Sequence, residues 1–193
     1  MRKEAFEKFF NGISKQMTVD LIARKNDGKN YCTSRAVDGK LPVFDALDLF
    51  DKTECLVLND GRVIERSFML KRPLRVAFFA LLTEIESRLY RISEWCNNPI
   101  KELNEKNLND FIRCLLENGN LFSYQTIYKS KKEFREDLKA ISAFRNTVMH
   151  VTKRFETETD FETVVKRKKQ ALKLIEALGQ ILDRQEAVKN GKA

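Results

Sequence analysis

Apolar positions recur every three or four residues through most of the chain from residue 73 onward, whereas before it they fall in short runs broken by turn residues. In "PLRVAFFALLTEIESRLYRISEW", Leu74, Phe78, Leu81, Ile85, Leu89 and Ile92 make one stripe, which predicts a helix with Pro73 in its first turn. "NLNDFIRCLLENG" repeats the pattern with Leu108, Phe111, Ile112 and Leu115, and Gly119 can end it. After a short segment, "LFSYQTIYKS", Ser130 and Glu133 have capping-box spacing and open a third helix, with Phe134, Leu138, Ile141, Phe144 and Val148 on its buried side. Thr159 and Glu162 have the same spacing, and a last helix is expected to turn Val165, Leu172, Ile175, Leu178 and Ile181 inward. Helices joined by short links make a bundle.

Residues 17–72 follow another rule. "NYCTSRAVDGKLPVFDALDLF" reads as a strand, a turn and a short helix from Pro42 to Phe50. "ECLVLNDGRVIERSFML" reads as two strands around Asn59-Asp60-Gly61, a strong hairpin signal. Ahead of this lies an amphipathic stretch with Phe6, Phe9, Phe10 and Ile13 on one side. The fold class expected is mainly α: a small α/β module over 1–72, a helical bundle of four to five helices over 73–187, and a disordered tail over 188–193.

Composition sharpens this picture in three ways. Three prolines and seven glycines in 193 residues favour long helices with few tight turns. No apolar run is long enough to span a bilayer, and "MRKEAFEKFFNG" lacks the apolar stretch of a signal peptide, so a cytoplasmic protein is expected. Cys32, Cys55, Cys96 and Cys114 are irregularly spaced, and one histidine cannot complete a zinc set. They read as reduced thiols, with no metal and no cofactor implied. The net charge of +8 favours an anionic partner, chiefly nucleic acid, and is equally compatible with an inert basic surface.

The sole histidine closes "AFRNTVMH". Asn146 and His150 are four apart and share a helix face, while Arg145 is offset from Asn146 by about 100°. The three residue types suit phosphodiester cleavage. An imidazole titrates near pH 6.5 and moves protons at neutral pH, roughly as a general acid or base must. A guanidinium grips phosphate in a fork and stabilises charge that grows in the transition state. An asparagine orients either one. A single imidazole cannot be both base and acid, but a twofold dimer supplies two. A histidine at a helix end also serves exposed carbonyls and the helix dipole, so spacing alone leaves both readings open.

The segment "RNTVMH", late in the helix "KKEFREDLKAISAFRNTVMH" and followed by "TVVKRKKQALKLIEALGQIL", resembles the Arg-polar-x-x-x-His signature of the HEPN superfamily. The resemblance covers about residues 73–185, including the acidic helix "FFALLTEIESRLYRI". It implies a HEPN-like bundle and a metal-independent endoribonuclease that acts as a homodimer with the two motifs facing each other. Arg145 and His150 would be the catalytic pair and Asn146 the polar partner. The RNA 2′-hydroxyl would attack the adjacent phosphate and leave a 2′,3′-cyclic phosphate. Glu84 or Glu86 would hold the arginine or the histidine, or would lie on a solvated helix face. The resemblance also implies a toxin or anti-phage role, with an antitoxin or regulatory protein as a partner. In one branch of the family a tyrosine two residues past the histidine is modified; Thr152 stands there, which puts that control in doubt. The alternative on the same fold is a non-catalytic module that dimerises and binds RNA or protein.

"LPVFDALDLFDKTECLVLNDGRVIERSFMLKRP" resembles one repeat of a CBS module. Its last stretch, "ERSFMLKRP", lacks the Asp found in repeats that bind adenine nucleotides, and a second repeat is missing, so the resemblance implies a packing or dimerisation element. Lys129, Lys131, Lys132, Arg135 and Lys139 lead into the motif, Lys153 and Arg154 follow it, and "KRKK" spans 166–169. These residues would line a groove that tracks an RNA backbone, or form a solvated face. No aromatic-and-basic signature points to sequence-specific readout.

Overall fold

The computed structural model describes residues 16–21, 23, 25, 36–50, 53–70, 72–96, 108–118, 120–149, 155 and 159–191. It is mainly helical with one small sheet, as the periodicity predicts: β1 (Ala36–Val37), α1 (Val43–Leu49), β2 (Cys55–Leu58), β3 (Val63–Glu65), α2 (Arg72–Ser93), α3 (Leu108–Glu117), α4 (Lys131–Met149) and α5 (Phe161–Lys189). No described helix is long and apolar enough to cross a membrane. The phenylalanines expected on an opening helix lie outside the described residues.

The chain divides into two compact units: Met1–Ala80 with Thr147–Lys168, and Leu81–Asn146 with Lys169–Ala193. In the first, the sheet order is β1-β2-β3. β1 runs parallel to β2, and α1 is the crossover between them. β2 and β3 pair antiparallel, with Leu56 opposite Ile64. The turn uses the residues the sequence singled out. Gly61 has φ 83°, a left-handed conformation that favours glycine, and its N–H donates to the Leu58 carbonyl at 2.9 Å. The buried faces of α1 and of the start of α2 meet through Phe44 and Phe78, whose rings lie 5.0 Å apart edge to face.

Two cations bind main-chain carbonyls of α1, Lys168 in its first turn and Arg66 just past its last. Lys168 donates through Nζ to the Phe44 carbonyl at 2.6 Å and to Asp48 at 2.8 Å. Arg66 donates to the Phe50 carbonyl at 2.6 Å, with its guanidinium over the Phe161 ring. Positive charge suits a helix C-terminus. Lys168 is only 6% exposed, so it stands apart from the basic face expected of "KRKK".

In the second unit, the predicted stripes of α2 and α3 are buried, as is that of α4. The Ser130 hydroxyl accepts from the Glu133 N–H at 3.1 Å, so α4 opens where the capping-box spacing puts it. The segment before α4 is pinned by Tyr128, which donates to Asp137 at 2.8 Å. Burial pushes this phenol well above its ordinary range, and the adjacent carboxylate adds to the shift.

Three expectations are corrected. The cap of α5 is Asp160, not Thr159: its carboxylate accepts from the Thr163 N–H at 2.6 Å and from the Thr163 hydroxyl at 2.9 Å. Those bonds hold the Asp160 carboxyl below its ordinary pKa. The buried line of α5 runs through Val164, Ala171, Leu174, Leu178 and Ile181, and it leaves Leu172 43% exposed. Finally, Cys96 and Cys114 are joined in a disulfide, with Cα atoms 6.5 Å apart, where four reduced thiols were expected. Cys55 is a buried residue of β2, and Cys32 lies outside the described residues. α5 itself continues through Val188 to Lys189, the first two residues of the expected tail.

Candidate active site

Helix α4 brings the motif to its last turn. Phe144 and Val148 are buried, Arg145 borders that face, and Asn146 is exposed. His150 follows Met149, the last residue of α4, and lies outside the described residues, as do Lys153, Arg154 and Thr152.

Within the second unit, Arg145 donates through Nε to the carboxylate of Glu86 on α2. The two side chains are 35% and 27% exposed. Among the described residues, no hydrogen bond engages the terminal nitrogens of Arg145. The guanidinium is thus fixed at its root through Nε.

Glu84 has a different place. It is buried and accepts from Nε of Arg88, one turn along α2. Arg88 also donates to the Ile175 carbonyl at 2.6 Å. A Cβ at Gly179 would stand 2.5 Å from its Nη1, so glycine makes room for the guanidinium. Of the two glutamates considered as holders of the motif, Glu86 holds Arg145 and Glu84 pairs with Arg88. Glu84 is buried, and Glu86 is half-buried.

In the first unit, Arg75 of α2 donates through Nε to the Val148 carbonyl at 2.8 Å. This is one of the carbonyls that the end of α4 leaves without a helical partner, and a cation there complements the helix dipole. Sequence reasoning missed this contact because Arg75 and Val148 are 73 residues apart and the acceptor is a main-chain carbonyl, which no side-chain pattern marks.

Lys132, Arg135 and Lys139 are exposed on α4, and Lys131 is half-buried. Among the described residues, no group of three His, Cys, Asp or Glu side chains is placed to hold a metal ion. A cavity of about 430 Å³ opens beside β1, lined by Ala36, Val37, Asp38, Lys40, Leu41 and Leu49. No family model matches the chain, and no curated protein or solved structure matches it either.

Proposed function

We propose that this chain is a metal-independent endoribonuclease of the HEPN type, acting as a homodimer. One His150 takes the proton from a ribose 2′-hydroxyl as its oxygen bonds to the adjacent phosphorus. The bond from phosphorus to the 5′-oxygen breaks, and the second His150 of the dimer protonates that oxygen. The products are a 2′,3′-cyclic phosphate and a 5′-hydroxyl. Arg145 stabilises the negative charge that builds on the phosphate oxygens, and Asn146 orients the reacting groups. Glu86 positions Arg145. Lys131, Lys132, Arg135, Lys139, Lys153 and Arg154 attract the RNA backbone. A toxin or anti-phage role, restrained by an antitoxin or regulatory protein, fits such an activity.

The observation that carries this reading is the state of Arg145. Its Nε is tied to Glu86, while the outer edge of its fork has no hydrogen-bond partner among the described residues. An arginine needed only for packing buries its donors against fixed acceptors, as Arg88 does.

The test is cleavage of an RNA in excess EDTA by wild type, His150→Ala, Arg145→Ala and Arg145→Lys, with circular dichroism and sedimentation of each. His150→Ala should lower the rate by about 10²–10⁴-fold or more, because both copies in the dimer are lost. Arg145→Ala should cost on the order of a few kcal/mol of transition-state stabilisation. Lysine at that position should rescue only in part, since it lacks the planar fork. A 2′-deoxyribose before the scissile bond should block the cut. If His150→Ala remains folded, dimeric and as active as wild type, the non-catalytic module that binds RNA or protein replaces the enzyme.

A further inference from the structure

The outer face of α4 carries a line of positive charge that the fold itself does not use. Lys132, Arg135, Lys139, Ala143 and Asn146 are all exposed. At about 100° per residue they fall within an arc of roughly 80°, so they form one stripe along the helix. Successive cations stand about 4.5 Å and then about 6 Å apart along the axis. From Lys139 the stripe continues for roughly 10 Å, past the small Ala143, to Asn146 of the motif.

Among the described residues, none of the three cations has an ion pair. The acidic residues nearest in sequence are engaged elsewhere or do not reach. Glu133 is bound by Lys173, and Asp137 is buried and shared by Tyr128 and Gln170. Glu136 lies on the same side of the helix as the stripe and, among the described residues, makes no ion pair. Three arginines elsewhere in this unit do have carboxylate partners: Arg88 with Glu84, Arg91 with Glu186, and Arg113 with Asp110. Lys131 and Lys132 also occupy the first turn of α4, where the helix dipole disfavours positive charge. The sequence therefore keeps cations here at a cost to the free protein.

We infer that this face of α4 is a track for the phosphodiester backbone of a single nucleic-acid strand, with Lys132, Arg135 and Lys139 each taking one phosphate. The shape selects the strand. A convex helix face cannot enter the deep, narrow major groove of an A-form duplex, and the shallow minor groove offers hydroxyls and base edges instead. The stripe holds no aromatic residue, so bases find no stacking platform, and recognition is by charge alone. The inference rests on the proposed function only for the fate of the strand, since the track leads toward Asn146 and Arg145.

Binding can be separated from cutting. A labelled single-stranded oligothymidylate of 2′-deoxy sugars, which internal attack cannot cleave, is titrated with the full chain by fluorescence anisotropy across a salt series. Affinity should fall with salt, the three track phosphates contributing about −2 to the log–log slope at about −0.7 each. Lys132→Gln, Arg135→Gln and Lys139→Gln should each flatten the slope by about 0.7, and the triple variant by about 2. Duplex RNA of equal length should bind more weakly. A slope unchanged in a folded triple variant overturns the track, as does duplex RNA that binds as tightly as the single strand. A ribo-oligomer assayed in parallel separates the two proposals. Wild type that binds with the expected slope but never cuts removes the nuclease and leaves the track. Wild type that cuts, with the triple variant binding and cutting as well as it does, removes the track and leaves the nuclease.

Discussion

Two arginine–glutamate pairs start from neighbouring positions of α2 and meet opposite fates. Glu84 and Glu86 are two residues apart, so helix geometry turns them to different sides. Glu84 and its partner Arg88 are 8% and 11% exposed, and Arg88 adds a bond to the Ile175 carbonyl. Glu86 and its partner Arg145 are 27% and 35% exposed, and among the described residues the outer half of that guanidinium has no hydrogen-bond partner. The chemistry is the same, but the surroundings decide what it does. In the dry pair each charge has paid desolvation and depends on the other. In the wet pair water screens the attraction, and little stability is at stake.

Removing one partner of the buried pair gives the largest expected effect. Glu84→Ala leaves Arg88 charged without its carboxylate and should cost about 3–5 kcal/mol in urea unfolding. A loss below about 1 kcal/mol would mean that Arg88 is served well enough by the Ile175 carbonyl and other contacts. The matching change in the wet pair should dissociate stability from activity. Glu86→Ala should alter unfolding by less than about 1 kcal/mol. It should nevertheless lower RNA cleavage by on the order of 10²-fold, because Arg145 loses the anchor that fixes its fork. Equal, small effects on both readouts would reduce Glu86 to a surface residue. The smallest change tests the space around Arg88. Glycine to alanine inside a helix ordinarily stabilises by up to about 1 kcal/mol. Gly179→Ala should do the reverse, at about 1–3 kcal/mol, because the new methyl meets Arg88 Nη1. A more stable variant would show that the guanidinium has room to move.

Much of the fold could be read from the chain because its strongest signals are local. The stripe from Leu74 to Ile92 needs only helix geometry, and all six residues are buried. Ser130 needs only its spacing to Glu133, and the turn at Gly61 only its neighbours. The failures share a cause. On α5 the buried line passes through Lys168, Ala171, Ala177 and Gln185, which a reading tuned to large aliphatic residues does not count. Lys168 is buried because α1 offers it a carbonyl and Asp48, partners 124 and 120 residues away in sequence. Asp160 displaced Thr159 as the cap because a carboxylate reaches both the N–H and the hydroxyl of Thr163. At the candidate site, the motif spacing put Arg145 and Asn146 on one helical turn. The choice between Glu84 and Glu86 was invisible, since it depends on how α2 and α4 pack in that unit.

The bond between Cys96 and Cys114 changes what a cut in the chain means. Their separation is 18 residues, so the stretch from 97 to 113 is bracketed by a covalent link of its own. A protease that severs any peptide bond in this interval produces two polypeptides that remain one molecule. They migrate together until a reducing agent parts them, so a nicked preparation passes for an intact one on a non-reducing gel.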